Sequence, residues 1–529
     1  MKTISALMPL VLPLIGGCTG VEDNSTKSNP NIIFIFADDM GYGDVKACNP
    51  EGKIETKHLD AMAENGVLFT DAHTTSAVST PSRYGVLTGR YNWRSSMKGG
   101  VLSGFSRGLI APDRSTVASM LTENGYNTGY IGKWHLGWDW DFAEGVDLSK
   151  INNLEYNAPV NYDKPVTNSP ADHGFGYYYG FCGSLDMAPY VWVENDRVVS
   201  PPDRMTVCVD AKGFWRYGDT APDFHHTTVL QDVTDKAVEF ISKNSKSDSP
   251  YFLYLPLPAP HTPILPTTEF LGASNTNMYG DFVLQVDDVV GQIRAAVEAS
   301  GEGANTIIVF SSDNGCSPRA NFAELENVGH SPSANMRGMK ADLYEGGHRV
   351  PLIIEWGAAN NSFKRNSKFE KTVCLTDFYA TCADIVGYEL KNSEAEDSFS
   401  LLSALEGDSQ DFARQHTVHH SINGAFALRS GDWKLIFSAG SAGWSYPTDG
   451  QIRSDKLDLP SLQLFNMKED PMETVNLVEQ NPEVVNSMIL TMAELIRSGR
   501  SNAGEVVAND PAEKWLQADA ILKMADELL

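Results

Sequence analysis

Three short, almost wholly apolar runs constrain the fold of this chain more than any other feature. They lie at residues 31–36, 251–257 and 305–310. Runs this short and this apolar are typical of strands in a largely parallel sheet with both faces buried. Amphipathic segments such as Met278–Ala299 supply helices that can cover such a sheet. The sequence therefore predicts an α/β fold in which helices sandwich a large, mostly parallel sheet.

The pattern changes near residue 398, where short strand-like segments separated by glycine turns become frequent. A length of 529 residues also suggests more than one domain. We therefore predict a main domain at residues 31–397 and a smaller α+β subdomain with an antiparallel sheet at residues 398–529. The strands predicted for this small sheet are residues 417–421, 425–429, 433–437 and 462–465.

The first thirty residues have the features of an export segment. Lys2 precedes an apolar run, and small residues precede Cys18, so residues 1–17 are predicted to be a signal peptide. Ile15-Gly16-Gly17-Cys18 resembles a bacterial lipobox, which predicts a lipidated Cys18 and a flexible tether at residues 18–30. The alternative is a plain signal peptide with an incidental cysteine. We expect a periplasmic, outer-membrane or cell-surface lipoprotein that meets the membrane only through this anchor.

The formal net charge of −27 restricts the partners of the chain. Nucleic acid is excluded, because its binding needs a basic surface. An anionic substrate would be repelled by the molecule as a whole, so its site must be a local cluster of a few cations.

Two acidic clusters follow predicted strands. Asp38 and Asp39 come directly after the first apolar run, and Asp313 and Asn314 follow the third. Open α/β sheets place their sites at the carboxyl ends of strands, and paired carboxylates repel unless a cation lies between them. A site for a hard metal ion is one interpretation. Taken alone, each cluster is more typical of a solvated loop or turn.

Residues 79–90 form a second candidate site. Pro81 suits the first turn of a helix, and helix N-termini attract anions, so Ser79 would stand beside an anion cradle that contains the permanent cation Arg83. The alternative is an ordinary capped helix start.

The order of residues in this segment resembles the signature of the formylglycine-dependent sulfatases, which belong to the alkaline-phosphatase-like superfamily. Ser79-x-Pro81-Ser82-Arg83 is followed by Leu87-Thr88-Gly89-Arg90, as in that family. The resemblance extends from about residue 31 to residue 477 as ordered motifs. The other matching segments are Asp38-Asp39-Met40-Gly41, Gly132-Lys133-Trp134-His135-Leu136-Gly137, Pro260-His261, Ser312-Asp313-Asn314-Gly315, Gly338-Met339-Lys340 and Tyr344-Glu345-Gly346-Gly347-His348-Arg349-Val350-Pro351.

The resemblance implies a sulfuric ester hydrolase with a modified residue and a metal. Ser79 would be oxidised to Cα-formylglycine (3-oxoalanine) by a serine-type maturase of anaerobic bacteria. The metal ligands it implies for one Ca²⁺ are Asp38, Asp39, Ser79, Asp313 and Asn314. The catalytic residues it implies are Ser79, Arg83, Lys133, His135, His261 and Lys340.

The resemblance also implies roles for these residues. The hydrated aldehyde at position 79 would attack sulfur, and calcium would increase its acidity. Arg83, Lys133 and Lys340 would stabilise charge on the transferring group. His135 would assist turnover of the hydrated aldehyde, and His261 would protonate the leaving oxygen.

The expected substrate is a sulfated oligosaccharide or polysaccharide, with galactose-type sugars favoured, as in carrageenan or chondroitin. Residues 138–223 form an irregular insert rich in aromatic and polar residues, and its aromatics either stack on sugar rings or pack a core of their own. One alternative is a phosphomonoester or phosphodiester hydrolase of the same superfamily. Another is a non-catalytic sulfoglycan-binding lipoprotein in which Ser79 stays unmodified.

Three local predictions are also open to structural comparison. Lys133 and His135 are expected to point to one side of an extended chain. Residues 371–386 are expected to form a helix. The six cysteines that follow Cys18 are sparse for the chain length, so disulfides are optional and most of these residues should be buried.

Overall fold

The structure is a computed structural model that describes residues 29–408, 410, 412–511 and 514–529. The predicted signal peptide, Cys18 and most of the predicted tether lie outside the described residues. The strands are β1 (Asn31–Asp38), β2 (Gly66–Phe69), β3 (Ala72–His73), β4 (Asn127–Lys133), β5 (Tyr177–Phe181), β6 (Val193–Glu194), β7 (Arg197–Val198), β8 (Arg204–Cys208), β9 (Trp215–Thr220), β10 (Tyr251–Pro260), β11 (Thr306–Ser312), β12 (Leu352–Trp356), β13 (Ser367–Phe369), β14 (Val373–Cys374), β15 (His416–His420), β16 (Phe426–Ser430), β17 (Trp433–Ile436) and β18 (Gln463–Asn466).

The α-helices of the described residues alternate with these strands over most of the chain. They are α1 (Lys57–Asn65), α2 (Ser79–Thr88), α3 (Val117–Glu123), α4 (Val229–Asn244), α5 (Met278–Ala299), α6 (Phe322–Asn327), α7 (Glu345–His348), α8 (Asp377–Val386), α9 (Leu402–Leu405), α10 (Asp449–Ser454), α11 (Pro482–Ser498) and α12 (Leu516–Leu528).

Ten strands form one mixed sheet in the order β13-β2-β12-β11-β1-β10-β4-β5-β6-β7. The five strands from β11 to β5 are parallel to one another, whereas antiparallel pairs flank them on both sides. All eight residues of β1 are buried, so both faces of the central strands are covered. The predicted α/β class is confirmed, and the antiparallel pairs lie outside the parallel centre.

Two groups of helices cover this sheet. Helices α4 and α5 contact each other and β10, and α1 contacts α5 and β12. Helices α2, α3 and α8 contact one another. The ring of Phe378 on α8 lies 4.6 Å from the ring of Phe34 on β1. Because successive strand residues point to opposite faces, the apolar runs pack against helices with both of their sides.

The small antiparallel sheet predicted near the C-terminus is also confirmed. Its order is β15-β16-β17-β18, and α11 packs on β16 and on α12. Its hydrophobic core includes Tyr91 and Trp93, which follow α2 in the main part of the chain. The ammonium of Lys434 on β17 lies 2.9 Å from Glu345 at the start of α7 and 2.7 Å from Glu473. Buried apolar and ionic contacts therefore join the two regions.

The predicted helix at residues 371–386 is wrong in its first half. Val373 and Cys374 form β14, which pairs with β3, and α8 begins only at Asp377. The backbone N–H of Leu375 donates to the carbonyl of His73, so hydrogen bonds to a distant segment replace those of a helical turn.

The cysteines of the described residues are free thiols, and four of the six are buried.

In the same described part of the chain, no helix combines the length and apolar character required to cross a membrane.

Candidate active site

The carboxyl ends of four adjacent parallel strands meet at one edge of the main sheet. β1 ends at Asp38 and β4 at Lys133, while His261 follows β10 and Asp313 follows β11. Open α/β sheets bind ligands at this edge, because strand ends and the loops after them surround a shared crevice there.

Ser79 is the first residue of α2, and every residue of this helix is buried. The helix ends at Gly89, whose φ of 63° is left-handed and whose N–H donates to the carbonyl of Gly85. Gly85 also allows close packing, since a Cβ atom there would lie 2.7 Å from Cγ2 of Thr75. Ser79 and Arg83 are four residues apart and share one face of the helix.

Ser79 contacts an acid and a base from two neighbouring strands. Its hydroxyl donates to Oδ1 of Asp38 at 3.2 Å, and the ammonium of Lys133 lies 3.4 Å from the same hydroxyl oxygen. Lys133 also donates to Oδ2 of Asp38 at 2.5 Å and to the hydroxyl of Ser184 at 3.1 Å. The predicted nucleophilic position therefore lies between a carboxylate and a cation, with no more than 2 % of Ser79 exposed.

Arg83 connects this group to the second acidic cluster. Its Nη2 donates to Oδ2 of Asp313 at 2.8 Å and lies 3.6 Å from Oδ1 of Asp38. The other oxygen of Asp313 accepts the backbone N–H of Asp39 at 3.1 Å. Both acidic clusters predicted from the sequence are thus in direct contact.

Asp39 contacts three more of the predicted residues, Lys340, Asn314 and His261. Its Oδ1 lies 2.5 Å from the ammonium of Lys340 and accepts a hydrogen bond from Nδ2 of Asn314 at 2.7 Å. His261 approaches the other oxygen, with 3.7 Å between its Nε2 and Oδ2 of Asp39. The structure therefore brings the four predicted metal-ligand side chains Asp38, Asp39, Asp313 and Asn314 together with Ser79, Arg83, Lys133, Lys340 and His261.

The donor set fits a hard cation. Oδ2 of Asp39 and Oδ1 of Asn314 are buried and have no hydrogen-bond partner among the described residues. Buried acceptors without a donor are rare, and calcium prefers carboxylate and amide oxygens. Asp38, Asp39 and His261 can also present ligand atoms within 4.8 Å of one another.

The charges of the site shift its pKa values. Burial favours a higher pKa for Asp38, but the charges of Lys133, His261 and Arg83 outweigh burial and hold it below its ordinary value. Burial alone would lower the pKa of Lys340, yet nearby carboxylates, above all Asp39, raise it. Asp38 is therefore a carboxylate and Lys340 an ammonium at neutral pH.

His135 is held as a neutral imidazole. Burial and the charges of Lys133 and Arg83 keep its pKa well below 6.5. Its Nε2 lies 2.9 Å from the carbonyl of Leu102, whereas its Nδ1 is buried without a partner among the described residues. A carbonyl only accepts, so Nε2 carries the proton and Nδ1 has a free lone pair.

The predicted extended conformation of His135 is wrong. Its φ of 54° lies in the left-handed region, and its N–H donates to the carbonyl of Cys182 in the loop after β5. The backbone leaves strand geometry at His135 itself, so strand alternation does not set the direction of the histidine ring.

Sequence reasoning missed Ser184, whose hydroxyl contacts Lys133 and lies 3.4 Å from Nδ1 of His261. No local motif marks it, because it lies in the irregular insert and reaches the site only through the pairing of β5 with β4.

Comparisons with known proteins identify the family of this chain. A family model described as Sulfatase matches residues 30–388. The chain is 33 % identical over 541 residues to N-acetylgalactosamine-6-O-sulfatase of Bacteroides thetaiotaomicron, and this alignment covers 94 % of this chain and 99 % of that protein. The chain belongs to the sulfatase family. It is a sulfuric ester hydrolase.

Other known proteins match over similar lengths. Arylsulfatase G of Rattus norvegicus is 29 % identical and the match covers 88 % of this chain and 85 % of that protein. A solved structure from a study of the metabolism of multiple glycosaminoglycans by Bacteroides thetaiotaomicron has a TM-score of 0.76 and 31 % identity. That match covers 88 % of this sulfatase and 99 % of the solved chain.

The aromatic residues of the insert in this sulfatase pack mainly against one another. The rings of Tyr179 and Trp192 stack at 4.7 Å, and those of Trp138 and Trp140 meet edge to face at 5.4 Å. All four side chains are buried. These four aromatics belong to the hydrophobic core that the insert shares with the main sheet, so they are not available to stack on a sugar ring.

Proposed function

We propose that this sulfatase removes sulfate from a sulfated glycan that contains a galactose-type sugar, and that N-acetylgalactosamine 6-sulfate is the unit it cleaves. The similarity to a named N-acetylgalactosamine-6-O-sulfatase over nearly the whole chain supports this substrate. The observation that carries the proposal is the position of the Ser79 hydroxyl between Asp38 and Lys133, beside Arg83.

Ser79 is proposed to be converted to Cα-formylglycine by a serine-type maturase, and the modified residue would supply the nucleophile. Calcium, held by Asp38, Asp39, Asp313, Asn314 and residue 79, would supply positive charge beside the sulfate oxygens. The unpartnered oxygens of Asp39 and Asn314 support this assignment.

Other residues of the chain would bind the sulfate and transfer protons. Arg83, Lys133 and Lys340 are three buried cations in an otherwise acidic protein, and they would bind the sulfate and stabilise its charge during transfer. The free lone pair on Nδ1 of His135 suits a group that accepts a proton. Nδ1 of His261 donates to the carbonyl of Thr262 at 2.5 Å, and its Nε2 lies 3.7 Å from Oδ2 of Asp39. Nε2 would protonate the leaving oxygen from the imidazolium form, in which both ring nitrogens carry a proton.

The proposal includes export of the protein as a lipoprotein. A lipidated Cys18 would hold the enzyme at the periplasmic or outer surface, where sulfated polysaccharides are encountered. Labelling with a lipid precursor, compared between the parent and Cys18→Ala, tests the anchor.

Production with and without the serine-type maturase tests the proposed function. Mass spectrometry of the peptide that contains Ser79 should show a species lighter by two hydrogens only when the maturase is present. Release of sulfate from N-acetylgalactosamine 6-sulfate should follow the amount of this species. Phosphate ester hydrolysis that is independent of the maturase would instead favour the phosphatase alternative, and serine alone in protein from the native host would favour a binding protein.

Calcium removal should lower both activity and thermal stability. A ligand that binds only the folded state at one hundred times its Kd stabilises it by about 2.7 kcal/mol, so we expect a clear increase in Tm when calcium is added to chelator-treated protein. Asp39→Asn should abolish this increase, because it removes one charge from the donor set. The exposed Asp147→Asn serves as the matched control and should retain it. An equal Tm increase in Asp39→Asn would contradict the assignment.

A further inference from the structure

A second polar group lies next to the candidate active site and has no role in the steps described above. It consists of Asp186, in the loop after β5, and Arg216 on β9. Asp186 is 8 % exposed, and its Oδ1 is buried without a hydrogen-bond partner among the described residues. Its Oδ2 lies 2.5 Å from Nη1 of Arg216.

The loop that carries Asp186 is part of the wall of the site. Two residues earlier in the loop, the hydroxyl of Ser184 contacts Lys133 and His261. The charges of Lys133 and His261 also act on Asp186. Burial favours a higher pKa for this carboxyl, but the charges of His261, Arg216 and Lys133 lower the pKa below its ordinary value. Asp186 is therefore a carboxylate near the predicted acid and the predicted sulfate-binding lysine.

Arg216 is held rigidly and has one donor group to spare. Its Nε donates to Glu155 at 2.8 Å, and its backbone N–H donates to the carbonyl of Asp186 at 3.1 Å. Tyr190 donates to the carbonyl of Arg216 at 2.7 Å, which fixes the strand against the same loop. Nη2 donates to no described residue, and 17 % of the side chain is exposed.

We infer that Asp186 and Arg216 bind two adjacent hydroxyl groups of the sugar that carries the sulfate. The free carboxylate oxygen would accept from one hydroxyl, and Nη2 would donate to the other. This inference rests on the proposed function and specifies its substrate. In an N-acetylgalactosamine unit linked through C1 and sulfated at C6, C2 carries the acetamido group, so the adjacent free hydroxyls are those at C3 and C4.

The test compares methyl N-acetylgalactosaminide 6-sulfate with its 3-deoxy and 4-deoxy analogues. Asp186→Asn and Arg216→Lys should each lower kcat/KM on the parent sugar by about tenfold or more, the loss expected for a hydrogen bond with a charged group. Wild-type enzyme should lose a similar factor on each deoxy analogue. Each variant should lose little further on the analogue that lacks its partner hydroxyl, because that contact is already absent.

Arg197→Lys is the matched control, because Arg197 belongs to the same insert and is more than half exposed. Its contacts are a 3.7 Å pair with Asp196 and a hydrogen bond to the carbonyl of Asp163. It should behave as the wild type on all three sugars. Equal losses for a variant on the parent and both analogues would overturn the inference, since they would indicate that the pair only positions His261 or Lys133. Cleavage of an aryl sulfate but not of the sulfated sugar would overturn it as well. Absence of turnover of any sulfate ester by wild type produced together with the maturase would instead count against the proposed function.

Discussion

Ser79→Ala should abolish sulfate ester hydrolysis while leaving the fold intact. The side chain at this position is the only hydroxyl among the described residues in contact with both Asp38 and Lys133, and it is the group proposed to become the nucleophile. Loss of a covalent nucleophile lowers kcat by at least about 10⁴-fold in enzymes that use one. The stability cost is small, because one hydrogen bond contributes about 1 kcal/mol. Initial rates and Tm measured on the same preparation check both parts.

The matched control is Ser76→Ala. Ser76 is also buried, three residues before Ser79, but its hydroxyl donates to the carbonyl of His420 in the small sheet at 3.0 Å. This variant should lose about 1 kcal/mol of stability and keep its activity. A Ser79→Ala variant that turns over at the parent rate would rule out residue 79 as the nucleophile.

Lys434→Met should destabilise the protein by about 3–5 kcal/mol, because it leaves buried carboxylates without their cation. Lys434 has no exposed side-chain surface and lies within 3.1 Å of Glu345, Glu473 and the ring of His348. Methionine keeps the volume, so the effect reports charge and not a cavity. Denaturant unfolding measures the free energy of unfolding directly.

The stability lost in Lys434→Met should increase with pH. Burial and the charge of Glu345 raise the pKa of Glu473 to about 7, although Lys434 opposes this shift. The folded state therefore binds this proton more tightly than the unfolded state, and that contribution to stability disappears as pH increases through about 7. Without Lys434 the carboxylate is disfavoured further, so the loss should be larger above this pH than below it.

Two further variants isolate the buried charge. Lys150→Met removes an exposed lysine that pairs with Asp147, and it should change stability by less than about 0.5 kcal/mol. Adding Glu473→Gln to Lys434→Met should recover part of the loss, because it removes one unpaired carboxylate. A Lys434→Met protein as stable as the Lys150→Met control would contradict the assigned role of this pair.

The main sheet was predictable because each of its central strands is marked by its own short run of apolar residues. The helix Met278–Ala299 has the predicted bounds, and the predicted run at residues 31–36 lies within β1. Apolar periodicity fixes such elements without reference to distant residues. The segment at residues 371–386 failed because its first residues hydrogen-bond to β3, a partner that no local pattern reveals.

The site was predictable to the extent that it follows from strand ends and ordered motifs. Asp38 and Asp313 lie where those motifs place them, and the structure adds their shared contact with Arg83. The positions of Ser184 and Asp186 were not predictable, since both lie in the loop after β5, whose place depends on the pairing of β5 with β4. Their residue types alone resemble any polar loop.

The complete burial of α2 determines whether the proposed oxidation of Ser79 would precede or follow folding. A second protein cannot reach residue 79 once this buried helix has packed into the fold, so the proposed oxidation would have to be finished before folding is. The share of active molecules in a preparation would then be set by the relative rates of this oxidation and of folding in the cell. Maturase added to purified, folded enzyme would not increase that share.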